Sequence, residues 1–220
     1  MQASEAEKPR IVILISGAGS NMVAIADAVK AEDIDAEIVG VISNRPNAGG
    51  LEKAQAMDIH TDLIDHTLYA SRDEFDHALI RMMEDLKPDL VVLAGFMRIL
   101  TADFTRYYEG HLLNIHPSLL PKYQGLDTHQ RALDAGDDLH GVTVHFVTEE
   151  LDGGPNAIQA IVPILDIDNA QQLQQRVQKQ EHVIYPIAVK WFCEGRLSMK
   201  GTKALLDSKV LPDTGIQLKS

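Results

Sequence analysis

A continuous apolar run that leads through a glycine turn into a helix-forming segment constrains the fold most strongly. Residues 10–16 read Arg-Ile-Val-Ile-Leu-Ile-Ser, the pattern of a strand buried on both faces of a sheet. A glycine-containing turn occupies residues 17–21, and residues 22–29 favour a helix. A second buried run spans residues 89–95, with strand and helix patterns between the two runs. This order predicts an α/β fold, with a doubly wound, mostly parallel sheet and helices on both faces.

The second half of the chain has a different pattern. Residues 140–147 and 157–164 read as two strands, which we expect to form an antiparallel pair. A long helix begins at Asn169, and we expect Pro186 to kink or split it because a proline inside a helix loses one hydrogen bond. Residues 204–211 suggest a small hairpin, after which we expect the tail to fray.

Charge and composition exclude several classes of protein. A net charge of -12 opposes binding to nucleic acid, because phosphate backbones require a basic face. No apolar run approaches the length of a membrane span, and the first nine residues lack the apolar region of a signal peptide. The single cysteine, Cys193, has no internal partner for a disulfide. These features predict a soluble cytoplasmic protein that associates with neither membranes nor nucleic acid.

The glycine turn is a candidate anion site. A turn between a strand and a helix directs backbone N–H groups and a helix N-terminus at one point, which suits a phosphate. A plain turn in which Ser20 is the helix N-cap explains the same residues equally well. The dinucleotide fingerprint is incomplete because Met22 occupies its third glycine position, so nicotinamide binding is a minor alternative.

Two polar residues interrupt the apolar run at residues 112–117, Leu-Leu-Asn-Ile-His-Pro. In a strand, Asn114 and His116 point to the same face, where polar groups are costly unless they bond to a partner or face a ligand. Pro117 ends the strand, which leaves His116 near the carboxyl end where ligands bind in parallel sheets. For these residues alone, a buried pair that bonds to neighbouring backbone is the simpler interpretation.

Other segments could complete a site at this edge. Asp152 lies in an Asp-Gly-Gly-Pro turn between the two later strands, from which its carboxylate could reach His116 and favour the protonated imidazole. The apolar residues 96–100 follow the strand at 89–95 and could form a pocket wall. The loop at 118–129 is either a lid or simply disordered.

Five segments, taken together and in order, resemble the phosphoribosylglycinamide formyltransferase family. They are Ile-Ser-Gly-Ala-Gly-Ser-Asn (15–21), Ala-Gly-Phe-Met-Arg-Ile-Leu (94–100), Leu-Asn-Ile-His-Pro-Ser-Leu-Leu-Pro (113–121), Glu-Leu-Asp-Gly-Gly-Pro (150–155) and Arg-Val-Gln-Lys-Gln-Glu-His (176–182). The resemblance covers about residues 10–200. It implies the formyltransferase fold with a Rossmann-like N-terminal half. It also implies transfer of a formyl group from 10-formyltetrahydrofolate, a co-substrate, to the amine of glycinamide ribonucleotide.

The resemblance also implies roles for individual residues. The catalytic trio would be Asn114, His116 and Asp152. The residues implied for the nucleotide are Gly19, Ser20, Asn21, Gln178, Lys179, Gln180 and Glu181. Those implied for the folate are Arg72, Met97, Arg98, Ile99, Leu100, Asn114, Thr148, Glu149, Glu150, Leu151 and Asp152. No metal is implied.

Three positions depart from the family pattern. Ala18 stands where Asn is common, Gln124 where Pro is common, and Asp127 where His is common. Asp127 lies in the suspected lid, so the contacts of that loop with Asp152 are uncertain on sequence grounds.

We expect residues 1–9 to be a flexible extension, residues 10–202 to be one formyltransferase domain and residues 203–220 to be a tail. Within that domain, residues 10–110 would form the nucleotide-phosphate half and residues 111–202 the folate and catalytic half. We expect a monomer or weak homodimer. The methionyl-tRNA formyltransferases and the formyltetrahydrofolate hydrolases carry an additional domain that we do not expect here. A non-catalytic nucleotide or folate-binding module and a nicotinamide oxidoreductase are the remaining alternatives.

Overall fold

The computed structural model describes residues 7–219, so residues 1–6 of the predicted flexible extension lie outside the described residues. The helices are α1 (Ser20–Lys30), α2 (Gly49–Ala56), α3 (Arg72–Leu86), α4 (Ala102–Tyr107), α5 (Thr128–Ala135) and α6 (Ala170–Cys193). The strands are β1 (Arg10–Ile15), β2 (Glu37–Ser43), β3 (Thr61–Leu63), β4 (Leu90–Leu93), β5 (Leu112–His116), β6 (Leu139–Phe146), β7 (Asn156–Pro163), β8 (Leu197–Lys200), β9 (Lys203–Leu206), β10 (Lys209–Val210) and β11 (Ile216–Lys219). None of the helices in this described part of the chain is long and apolar enough to cross a membrane.

The main sheet has eight strands in the order β11-β7-β6-β5-β4-β1-β2-β3. β6 runs antiparallel to both of its neighbours, whereas the other pairings in this sheet are parallel. A separate three-stranded antiparallel sheet has the order β10-β9-β8. The predicted mostly parallel α/β fold and the antiparallel β6–β7 pair are both confirmed.

Strand β1 shows why the apolar run near the N-terminus has no polar interior residue. Ile11, Ile13 and Ile15 belong to the core on one face of the sheet, which also contains side chains of α1 and α6. Val12 and Leu14 belong to the core on the other face, with side chains of α3 and α4. Because both faces are covered by helices, every interior position of the strand is buried, as expected for a central parallel strand.

The order of strands places a crevice between β1 and β4. The chain goes outward from β1 to β2 and β3, then returns to add β4 and β5 on the other side of β1. At such a reversal the loops after the two strands separate, and ligands bind beyond the carboxyl ends of the strands. The glycine turn follows β1, and the apolar residues 96–100 follow β4.

Helix α6 is attached to the sheet close to this crevice. The buried Tyr185 hydroxyl lies 2.9 Å from the Leu93 carbonyl oxygen and 3.0 Å from that of Leu113. These carbonyls belong to β4 and β5, so one side chain bridges the two strands that lead into the site.

The split that we considered for α6 is wrong, and so is the frayed tail. Helix α6 continues through Pro186, where burial of the neighbouring Tyr185, Ala188 and Val189 compensates for the missing hydrogen bond. The tail does not fray after the β9–β10 hairpin. Its last strand, β11, pairs in parallel with β7, with Ile216 opposite Ile158.

Candidate active site

A cavity of about 890 Å³ lies at the carboxyl ends of β4 and β5. Its lining comes from the loop after β4, the end of β5, the loop before α5, the β6–β7 loop, and helices α1 and α6. It contains these residues predicted from the sequence: Asn21, Met97, Arg98, Ile99, Asn114, His116, Leu151, Asp152 and Glu181. The fold therefore brings together segments that are far apart in sequence around one space.

The helix N-terminus at one end of the cavity has no side-chain cap. Gly19 is the N-cap of α1, with φ of 69°, so Ser20 is the first helical residue and not the cap that we considered. A Cβ atom at Gly19 would lie 2.8 Å from the Cα atom of Gly50, so both backbone conformation and packing require glycine here. No acidic residue occupies the first turn. The backbone N–H groups of this turn are therefore available to an anion.

Helix α6 approaches the same turn from the other side. Gln178 donates from Nε2 to Ser20 Oγ at 3.1 Å, and Asn21 donates from Nδ2 to Glu181 Oε2 at 2.7 Å. Burial raises the pKa of the Glu181 carboxyl, and the bond from Asn21 offsets part of this effect. The predicted nucleotide residues of the two helices are thus in direct contact. Lys179 is exposed, and Gln180 is half-buried outside the cavity lining.

Asn114 lies on β5 at the centre of the cavity wall and is oriented by a histidine that the sequence analysis did not identify. His145 on β6 is opposite Asn114 in the antiparallel register. His145 Nδ1 lies 2.8 Å from the Phe146 carbonyl, which can only accept, so Nε2 is free to accept from Asn114 Nδ2 at 3.2 Å. Burial lowers the pKa of His145, which keeps this ring neutral.

His116 and Asp152 form the predicted pair. His116 Nδ1 lies 3.4 Å from Asp152 Oδ2, and both side chains are more than nine-tenths buried. Two backbone groups of the loop before α5 complete the arrangement. His116 Nε2 donates to the Tyr123 carbonyl at 2.8 Å, and the Gly125 N–H donates to Asp152 Oδ2 at 2.9 Å. Sequence reasoning missed both partners because any residue type carries these backbone groups.

Two more histidines lie behind the catalytic pair. His129 on α5 lines the cavity, and its Nδ1 is 3.1 Å from Nε2 of the buried His140 on β6. Burial lowers the pKa of His129, with a smaller contribution from the charge of His116. Burial and the neighbouring His129 lower the pKa of His140 to about 4. Both rings are therefore neutral near pH 7.

The loop after β4 forms an apolar wall of the cavity. Met97 and Ile99 are each more than half exposed, and Leu100 packs against the core beneath them. The Arg98 guanidinium lies 4.3 Å from the centroid of the Phe75 ring, within the range of a cation–π contact. Large exposed apolar side chains beside a cavity are typical of a ligand site. Arg72, the first residue of α3, is exposed and lies outside this lining.

The predicted folate segment at residues 148–152 is divided between two cavities. Leu151 and Asp152 line the main cavity. Thr148, Glu149 and Glu150 instead line a second cavity of about 620 Å³ beside the C-terminal strands. Glu149 Oε1 also accepts from Arg106 Nε at 2.5 Å on the protein surface.

The loop at residues 118–127 is structured by contacts, although its sequence also suggested disorder. Gln124, at one of the departures from the family pattern, donates from Nε2 to the Asp152 carbonyl at 3.3 Å. Asp127 occupies the N-cap position of α5 with φ of 57°, and its side chain makes no capping bond. Within residues 7–219, no group of three or more His, Cys, Asp or Glu side chains is arranged to hold a metal ion.

Comparison with known proteins agrees with the class that this fold and cavity define. Residues 9–189 match the family model described as formyl transferase, and the chain belongs to that family. The phosphoribosylglycinamide formyltransferase of Escherichia coli (strain K12) is 51% identical over 205 residues, which are 93% of this chain and 97% of the relative. The solved phosphoribosylglycinamide formyltransferase of Coxiella burnetii superposes with a TM-score of 0.92 at 46% identity, covering 96% of this chain and 99% of that one. The resemblance to this enzyme family inferred from the sequence is thereby confirmed.

Proposed function

We propose that the chain transfers the formyl group of 10-formyltetrahydrofolate to the amine of glycinamide ribonucleotide, in purine biosynthesis. The observation that carries this proposal is the shared cavity. Asn21 in the uncapped first turn of α1, the apolar residues Met97 and Ile99, and the trio Asn114, His116 and Asp152 all line this cavity, whereas Gly19, Ser20 and Gln178 lie outside its lining. The similarity to phosphoribosylglycinamide formyltransferases along nearly the whole chain supports the same substrates.

The nucleotide phosphate binds the first turn of α1. Backbone N–H groups of Gly19, Ser20 and Asn21 donate to the phosphate oxygens, and the positive end of the helix dipole favours their charge. Gln178, Lys179, Gln180 and Glu181 serve the ribose and glycinamide end, where a carboxylate suits hydroxyl and amine donors.

The folate lies across the opposite end of the cavity. Met97 and Ile99 provide apolar contact for its rings, Leu100 supports them from the core side, and Leu151 lines the same cavity from the β6–β7 loop. Arg72 and Arg98 supply positive charge for the glutamate carboxylates. Thr148, Glu149 and Glu150 line the neighbouring cavity and are assigned to the folate only through the family resemblance.

The reaction requires a tetrahedral intermediate. The substrate amine attacks the formyl carbon, the new C–N bond forms, and the carbonyl electrons move to oxygen. Asn114 Nδ2–H and a protonated His116 stabilise this oxyanion by hydrogen bonds, the larger contribution coming from the charged donor. Collapse breaks the bond to folate N10, which receives one proton while the attacking nitrogen loses one.

Asp152 keeps the proton on His116. With Nε2–H donated to the Tyr123 carbonyl, the other ring nitrogen faces the carboxylate, and a neutral ring would direct its lone pair at that negative charge. The arrangement therefore favours imidazolium opposite carboxylate.

A spectrophotometric assay tests the function. The purified protein is mixed with glycinamide ribonucleotide and a 10-formyl folate, and the folate absorbance is followed with and without the nucleotide. We expect deformylation only when the nucleotide is present, and no reaction with a His116→Asn variant. Deformylation in water alone would indicate a hydrolase, and ligand binding without turnover would indicate a binding module.

A cytoplasmic location and a monomer or weak homodimer stay predictions from the sequence. Sedimentation across a range of protein concentrations measures the second of these directly.

A further inference from the structure

The two nitrogens of the His116 ring lie at different distances from their hydrogen-bonding partners, and this difference distinguishes them. Nε2 is 2.8 Å from the Tyr123 carbonyl oxygen, whereas Nδ1 is 3.4 Å from Asp152 Oδ2. A carbonyl oxygen only accepts, so Nε2 must carry hydrogen whether the ring is charged or neutral. The charged and neutral forms of the ring therefore differ only in the proton on Nδ1. The hydrogen on Nδ1 points toward Asp152, and at 3.4 Å that contact is long enough for a substrate oxygen to share the same hydrogen.

The same loop also stabilises the charge on both partners. It presents an acceptor, the Tyr123 carbonyl, to the imidazole, and a donor, the Gly125 N–H, to the carboxylate. A carbonyl dipole favours the positive ring, and an N–H dipole favours the negative carboxylate. The loop therefore favours imidazolium with carboxylate over the neutral pair.

Asp137, which does not line the cavity, accepts hydrogen bonds from two side chains of this loop. Asp137 Oδ2 accepts from the Tyr123 hydroxyl at 2.8 Å and from Lys122 Nζ at 2.9 Å. Asp137 follows the end of α5, and its backbone N–H donates to the Ala132 carbonyl at 3.2 Å, which fixes it to that helix. The hydrogen bonds from Lys122 and then Tyr123 lower the pKa of the Asp137 carboxyl, so it is charged at neutral pH.

A second anchor on α5 holds the other side of the loop. Arg131 Nη1 lies 2.7 Å from the Gln124 carbonyl and 3.2 Å from the Leu126 carbonyl, and the guanidinium lies 5.3 Å from the Tyr123 ring centroid. Tyr123 itself has φ of 56°, an unfavourable conformation for a residue with a side chain. Its carbonyl thus keeps this direction because Asp137 and Arg131 hold the residues around it.

We infer that Asp137 is a positioning residue that acts through Tyr123: it holds the Tyr123 carbonyl on Nε2 of His116, so that Nδ1 is the nitrogen that meets the reacting oxygen. The kinetic consequences of this inference rest on the proposed function. The arrangement of Asp137, Tyr123 and His116 can be tested without it. The groups that face His116 from the packed elements are Asp152, His129, His140 and His145, and burial lowers the pKa of the three histidines. These three histidines are neutral near pH 7, so Asp152 is the charged side chain among the groups that face the ring.

The kinetic test compares Asp137→Ala with a matched control, Asp207→Asn, which breaks the ion pair with Arg196 in the distant C-terminal sheet. Loss of the Tyr123 contact makes the imidazolium less favourable. We expect the alkaline limb of the kcat profile to move to lower pH, so that kcat falls about tenfold at pH 8.5 and less than threefold at pH 6.5. KM for glycinamide ribonucleotide should change less than twofold, and the control should match the wild type. An unchanged profile, or an equal loss at every pH, would overturn the inference.

The milder variant Tyr123→Phe keeps the backbone and removes only the hydroxyl bond to Asp137. It should shift the profile in the same direction by a smaller amount, and Asp137→Glu should restore most of the wild-type profile. If Asp137→Ala does not fold, these two variants decide the question. A kcat–pH profile of Tyr123→Phe identical to that of the wild type would then contradict the inference about Asp137.

A measurement without substrates separates this inference from the proposed function. In protein labelled with ¹⁵N-histidine, the His116 signals are assigned by their loss in His116→Asn. We expect Nε2 to keep the shift of a protonated nitrogen across the titration while Nδ1 changes. A titrating Nε2 would refute the inference even if formyl transfer were demonstrated, and a titrating Nδ1 would support it even if transfer were absent.

Discussion

The two ends of the cavity present different kinds of chemical group to a ligand. The nucleotide end consists of a helix N-terminus and its contacts with a second helix, whereas the catalytic end consists of side chains whose charges are set by a loop. Backbone N–H groups have fixed charge and direction, so the proposed phosphate contacts at the first end depend little on pH or on side-chain identity. The second end depends on both. The nucleotide end has groups of fixed charge that can hold one substrate, and the catalytic end has titratable side chains that can take part in proton transfer. This division suits a reaction in which one substrate must be held while protons move.

The largest effect is expected at the catalytic end, for Asp152→Asn. The amide has nearly the same shape but no negative charge to hold the proton on His116. We expect kcat to fall on the order of a hundredfold or more, with little change in KM for the nucleotide, as for loss of an oxyanion donor. Steady-state kinetics measure both constants. Near-normal turnover would remove Asp152 from the mechanism.

The stability of the protein should also depend on pH through a buried histidine near the catalytic end. The pKa of His140 is lowered from 6.5 to about 4 in the folded chain, so between those values the unfolded chain binds more protons. The free energy of unfolding should therefore fall as pH falls from about 6.5 to about 4. His140 alone contributes about 2 kcal/mol of this loss between pH 7.5 and pH 5.

Urea unfolding at these two pH values, for the wild type and for His140→Gln, isolates that contribution. The variant should lose about 2 kcal/mol less than the wild type on acidification. An equal loss in both proteins would show that His140 does not control the acid sensitivity of this region.

At the nucleotide end, Glu181→Gln should change binding and not chemistry. The substitution removes the charge that accepts from Asn21 at 2.7 Å. We expect KM for glycinamide ribonucleotide to rise about tenfold, since a hydrogen bond to a charged group is worth about 1.5 kcal/mol, and kcat to stay within threefold. A hundredfold loss of kcat would abolish the proposed division between the two ends.

The smallest effect is expected for Ser20→Ala. The Ser20 side chain is held by Gln178, but the proposed phosphate contacts come from the backbone of this turn. We expect KM for the nucleotide to change less than threefold, and isothermal titration with the nucleotide alone should give the same ratio. A much larger increase would show that side chains, not backbone groups, bind the phosphate.

Much of the fold could be predicted from the sequence because its signals are local. The buried run that became β1 and the asparagine before α6 mark their elements without reference to the rest of the chain. The last strand, β11, could not be predicted, because a segment of four residues forms a strand only when β7 offers an unpaired edge. The continuity of α6 through Pro186 likewise depends on packing that the local sequence does not reveal.

The candidate site shows the same limit. Asn114 and His116 could be selected because polar residues are unusual in a buried strand, and the family resemblance then added Asp152. The Tyr123 carbonyl and the Gly125 N–H could not, because a backbone group has no sequence signature. His145 was missed because it belongs to an apparently ordinary strand, and its contact with Asn114 arises from the register of β5 and β6.

The attachment of α6 has a consequence for how two substrates meet. Near its middle the helix contacts the first turn of α1 through Gln178 and Glu181, and one to two turns later Tyr185 bridges the strands that carry the apolar wall and Asn114. In the proposed reaction, a single helix therefore fixes the distance between the amine of one substrate and the formyl carbon of the other. Reactants held at a fixed separation gain the rate advantage of an intramolecular reaction.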